Sequence, residues 1–87
     1  MKIKDGYMVR EVAGSQIVVP VGERTVDFNG IITLNETAAF LWEKLAAGAE
    51  RSDLLAAMLA EYDVDETTAA RDIDLFLQKL KDADLLE

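Results

Sequence analysis

The stretch Ile31-Ile32-Thr33-Leu34-Asn35-Glu36-Thr37-Ala38-Ala39-Phe40-Leu41-Trp42 is where the chain changes its period. Up to Leu34 the residues are β-branched or apolar and read at the two-residue repeat of a strand. From Asn35 onward Ala38, Leu41, Trp42 and Leu45 recur at the three- and four-residue spacing of a helix. Asn35 sits at the switch. Its side-chain oxygen can accept from the orphan amides of a first helical turn, and Glu36 complements the dipole there. The junction therefore predicts a β-rich first part and an α-rich second part.

Downstream, Gly48 is a natural stop for helix 1. Helix 2 takes Ser52 as its N-cap and places Leu55, Met58, Leu59 and Tyr62 on one face. Helix 3 follows Asp65 as N-cap and runs to about Ala83. Its stripe is Ala69, Ile73, Phe76, Leu77, Leu80 and Ala83. Lys79 and Lys81 lie near its C-terminal end, where the dipole favours cations. Leu85-Leu86 then fold back on the body.

Upstream, Tyr7–Val12 and Gln16–Val21 read as strands joined through Ala13-Gly14-Ser15. Pro20 marks an edge, a bulge or a strand end, because it cannot donate a ladder hydrogen bond. Gly22 and Glu23-Arg24 read as a close and a polar turn. Thr25 to Leu34 admits two readings: a hairpin turning at Asn29-Gly30, or one long strand with Val26, Phe28, Ile32 and Leu34 sharing a face. The Asn-Gly signal favours the hairpin. The expected fold is α+β: an N-terminal three- or four-stranded antiparallel sheet followed by three helices, winged-helix-like, in one domain over residues 1–87.

Composition narrows the chemistry. The chain has 87 residues, no cysteine and no histidine, so thiolate or histidine metal sites, disulfides and histidine acid–base catalysis are outside its means. No apolar run approaches the roughly 18 residues of a membrane span, and Met1-Lys2-Ile3-Lys4-Asp5 lacks a signal-peptide apolar core. A cytoplasmic protein is the expectation. The charges of residues 1–34 cancel, whereas residues 35–87 carry five bases and thirteen acids and hold the whole net charge of −8. Such a surface repels phosphate backbones and anionic lipid, so neither nucleic acid nor membrane is an expected partner.

Catalysis fails by elimination. Ser15 and Ser52 have no histidine base, the carboxylates fall on solvated helix faces, and no glycine-rich phosphate loop is present. Asp72, Asp74, Asp82 and Asp84 lack the spacing of a calcium loop. No catalytic residue, metal or cofactor is expected. Arg51-Ser52-Asp53-Leu54 inverts the order of serine and aspartate found in acyl carriers. DNA binding by the winged-helix topology would need a basic helix. Helix 2 offers no base between Asp53 and Tyr62, and helix 3 mixes Arg71, Lys79 and Lys81 with Asp72, Asp74 and Asp82.

A binding module remains. Leu75 lies outside the helix 3 stripe, flanked by Thr68, Asp72 and Lys79. Exposed leucines are common. The functional reading of this position makes Leu75 one wall of a shallow groove beside the sheet, suited to an extended peptide that adds as a strand. Ile31 and Thr33, of opposite parity to the core-facing Ile32 and Leu34, belong to the strand nearest helix 1. Phe40, also off its helix stripe, is expected in the core.

Leu34-Asn35-Glu36-Thr37-Ala38-Ala39-Phe40-Leu41-Trp42 resembles the strand-to-helix junction of the PqqD-like family. Ile17-Val18-Val19-Pro20, Leu54 to Tyr62, Val64-Asp65 and Asp72-Ile73 through Leu85-Leu86 follow the same pattern. The resemblance covers nearly the whole chain and rests on caps and core residues. It implies a winged-helix-like RiPP recognition element that binds the leader segment of a ribosomally made precursor peptide and presents it to a modifying enzyme, often a radical S-adenosylmethionine (SAM) enzyme. It further implies that the leader adds to the third strand against helix 3. The candidate peptide-binding residues are accordingly Ile31, Ile32, Thr33, Leu34, Thr68, Arg71, Asp72, Leu75 and Lys79, in a monomer or weak homodimer. The chain is several residues longer than the family pattern between its second strand and the Leu-Asn junction, which points to a pathway other than quinone cofactor synthesis. The alternative is a regulatory or adaptor winged helix that binds a folded protein or DNA.

Overall fold

The computed structural model describes residues 1–21 and 32–87. In chain order it contains β1 (Tyr7–Val12), β2 (Ser15–Pro20), β3 (Ile32–Leu34), α1 (Glu36–Ala46), α2 (Arg51–Glu61) and α3 (Glu66–Asp82). The strands form an antiparallel sheet in the order β1-β2-β3, and the three helices follow it, as the α+β reading expects. The question of hairpin or single strand over Thr25–Leu34 lies outside the described residues except for Ile32–Leu34, as do Ile31 and the turn at Gly22 to Arg24.

The β1–β2 connection is shorter than Ala13-Gly14-Ser15. Val12 pairs with Ser15, leaving Ala13 and Gly14 as a two-residue loop. Both have positive φ (52° and 81°), the requirement of a type I′ turn whose twist matches the strands it joins. Pro20 ends β2 opposite Tyr7, and the ladder continues past it through the Val21 amide, which donates to the Gly6 carbonyl at 2.8 Å.

The caps at Asn35 and Asp65 form as expected. The Ala38 amide donates to Asn35 Oδ1 at 2.8 Å, and the Thr68 amide donates to Asp65 Oδ1 at 2.7 Å. At α2 the expectation is corrected: the N-cap is Glu50, and Ser52 lies inside the first turn. The Asp53 carboxylate reaches back to accept from the Glu50 amide at 2.9 Å, a charge-assisted bond that satisfies this end without the serine. Starting the helix earlier also brings Arg51 onto α3, where its guanidinium grips Asp74 through Nε (2.7 Å) and Nη2 (3.0 Å).

α3 ends in a Schellman arrangement. Asp84 takes positive φ (59°), and the Leu85 amide donates back to Leu80 while the Asp84 amide donates to Lys81. This reversal drives Leu85 into the core, fully buried, and pairs Leu86 with Ile3. The remaining core joins Val18 and Leu34 of the sheet to Leu41, Trp42 and Leu45 of α1 and to Ala69, Ile73, Phe76, Leu77 and Leu80 of α3. Ala83 is half-buried. The core face of α2 is centred on Leu54 and Met58, whereas Leu59 is exposed. The expected face of Leu55, Met58, Leu59 and Tyr62 is therefore corrected: Met58 is buried, Leu55 and Tyr62 are half-buried, and packing against α3 turns Leu54 inward in place of Leu59.

Asp65 and Asp74 hold pKa values below the usual aspartate range. Asp65 is lowered first by the Thr68 backbone amide, and Asp74 first by its hydrogen bonds from Arg51. A carboxylate whose folded pKa is depressed stabilises the fold above its unfolded pKa, and that contribution disappears as pH falls through the folded value. Stability measured by urea unfolding should therefore decline from about pH 4 downward. The slope should be shallower in a chain carrying Asp65→Asn and Asp74→Asn. An unchanged slope would show that these contacts do not couple to folding.

Candidate functional site

The hydrogen-bond parity of the sheet defines its open edge. The Val21 amide bonds Gly6 of the segment leading into β1, so odd-numbered residues of β2 face β1 and even-numbered ones face β3. Gln16↔Leu34 and Val18↔Ile32 are then the bonded pairs of β2 and β3. Thr33, opposite Ile17, turns its N–H and C=O away from β2. A second contact agrees: the Thr33 carbonyl accepts a hydrogen bond from Lys79 Nζ of α3 at 3.3 Å. The outward-facing backbone of β3 thus borders α3.

Between them runs an open groove. Its first part, about 280 Å³, is lined by Thr33 and Asn35, by Thr37, Ala38 and Leu41 of α1, and by Asp72, Leu75, Phe76 and Lys79 of α3. A second depression is lined by Ile32, Leu75, Gln78, Lys79, Asp82 and Ala83. Leu75 and Lys79 belong to both and form the saddle between them. Leu75 is 65% exposed, the most exposed large apolar side chain among the described residues.

Of the candidate residues, Thr33, Asp72, Leu75 and Lys79 meet in the first part and Ile32 joins Leu75 and Lys79 in the second. The Leu34 side chain is turned into the core, 3% exposed. Thr68 and Arg71 line neither part. Thr68 lies one helical turn before Asp72, where its amide caps against Asp65. Arg71 is exposed and rotated about 100° from Asp72. Ile31 lies outside the described residues.

Sequence reasoning missed the α1 wall of Thr37, Ala38 and Leu41, and also missed Gln78 and Asp82. The last two follow Leu75 at i+3 and i+7, so extending its flank along the helix would have found them. Phe40 is half-buried against the core and meets Tyr62 edge-on, with ring centroids 5.4 Å apart. Among the described residues no group of three or more carboxylates is arranged to hold a metal ion, and no helix is long and apolar enough to cross a membrane.

A short sheet with an open edge beside a helical groove defines a small binding domain, and the sequence agrees with a family of that kind. The chain belongs to the PqqD family, whose model, described as coenzyme PQQ synthesis protein D, matches residues 17–86. It is similar to a solved structure of TbiB1 in complex with the TbiA(beta) leader peptide, at 26% identity over 100% of this chain and 95% of that one, with a TM-score of 0.77. It is also similar to lasso peptide synthetase B1 complexed with the leader peptide, at 25% identity over 93% of this chain and 89% of that one, with a TM-score of 0.71. Comparison with curated proteins gives no significant match.

Proposed function

We propose that this chain is a non-catalytic peptide-binding domain that captures the leader segment of a ribosomally made precursor by strand addition to β3. It then presents the precursor to a modifying enzyme, which the family resemblance points to as a radical SAM enzyme. The observation that carries this reading is the Thr33 backbone, turned outward from β2 beside the Leu75 groove. Backbone bonds to β3 supply affinity that any extended chain can use, and alternate side chains entering the groove supply selectivity. Two similar structures were solved with leader peptides, which supports the same class of ligand here. The site of action we assign is the cytoplasm, where ribosomal precursors arise. The acidic helices disfavour the DNA alternative, because a nucleic-acid groove must neutralise several phosphates.

The test is a titration of the isotopically labelled chain with synthetic leader segments of the ribosomal precursor peptides encoded in its own genome. Amide shifts should concentrate on Ile32–Leu34 and on α3 around Leu75. Saturation with shifts confined to α2 would refute the site.

A further inference from the structure

We infer that Lys79 is a specificity-determining residue that reads a carboxylate in the bound peptide, two positions C-terminal to the apolar side chain seated on Leu75. The inference rests on the strand-addition reading and goes beyond it by assigning ligand chemistry.

The argument begins with what Lys79 does in the free domain. Its ammonium donates to the Thr33 carbonyl, the same outward-facing acceptor that an added strand must use. Among the described residues it forms no ion pair with a carboxylate. When a peptide amide takes the Thr33 carbonyl, the ammonium is displaced or shares its acceptor while the peptide covers the groove and excludes water. A cation in a partly desolvated groove needs a replacement acceptor, and an anionic one compensates it best.

The position of that acceptor follows from geometry. Ile32 shares its depression with Asp82 and Ala83, whereas Thr33 and Asn35 share theirs with Asp72 and Phe76. β3 therefore runs antiparallel to α3. A strand that adds antiparallel to β3, the better-bonded arrangement, runs parallel to α3 and meets Leu75 before Lys79. Those two residues are four apart on a helix, about 6 Å. Same-face residues of a strand are about 6.7 Å apart at i and i+2. An apolar residue followed two positions later by Asp or Glu matches both. Asp72 and Asp82, at either end of the groove, oppose an acid at any other step and so fix the register.

The test pans a library of randomised short peptides displayed on phage against the intact domain and its Lys79→Glu variant. Wild type should enrich sequences with an acid two positions after an apolar residue. For a selected peptide, Glu→Gln should weaken binding about fivefold, with the loss absent in Lys79→Ala. Lys79→Glu should move the preference at that position to Lys or Arg. Enriched peptides that shift the Thr33 amide but show no acid there would overturn the inference and leave strand addition standing. No enrichment over a protein-free control would overturn both.

Discussion

Replacing Leu75 with glutamate should weaken leader binding about 30-fold while leaving the domain folded. At 65% exposure the side chain contributes little to the core, and a surface substitution of this kind changes stability by about 0.5 kcal/mol or less. The new carboxylate would also stand four residues before Lys79, a favourable i to i+4 pair that further protects the helix. The binding loss has two sources: an apolar contact at the saddle disappears, and Lys79 gains an internal partner that competes with the peptide. Leu75→Ala separates them, because it removes the contact without capturing the lysine. Calorimetric titration gives the affinities and urea unfolding gives the stability. Unchanged affinity in both variants would remove the groove from the binding site.

Two residues earlier on the same helix the opposite result is expected. Ile73 is fully buried, and Ile73→Ala should cost about 2–5 kcal/mol through lost transfer energy and the cavity left behind. Small domains have only about 5–15 kcal/mol in total. The denaturant midpoint should therefore fall sharply with the m-value little changed, and the melting temperature should drop by about 10 °C or more. A loss well under 1 kcal/mol would mean that α3 is rotated from the orientation described. The two substitutions together check the helix from both sides, one through binding and the other through stability.

Both predictions come from features that are legible in the sequence. Asn35 and Asp65 announced their helices because capping depends on a side chain and amides three residues away. Leu75 stood off its stripe because helical geometry fixes angular position from spacing alone. Ser52 misled because a serine and a carboxylate that can each serve a helix start occupy neighbouring positions, and the bond from the Glu50 amide to Asp53 together with the approach of Arg51 to Asp74 favours the earlier start. On α2 several adjacent apolar residues made the inward face ambiguous. Leu54 rather than Leu59 is buried because of where α3 lies. Thr68 shared a helical face with Leu75 yet fell beyond the groove, since the wheel gives direction and not reach.

By itself the sequence determined the period switch at Leu34-Asn35, the helix 1 and helix 3 caps and stripes, and the concentration of acids on the helical half. Each of these depends on residues close together in the chain, where spacing is equivalent to geometry. Tertiary structure alone decided which side of β3 is open, because that depends on hydrogen-bond parity carried from β1 through β2. It also decided that Lys79 reaches the Thr33 carbonyl from 46 residues away. Such a contact depends on how the sheet and α3 pack, and no local spacing encodes it.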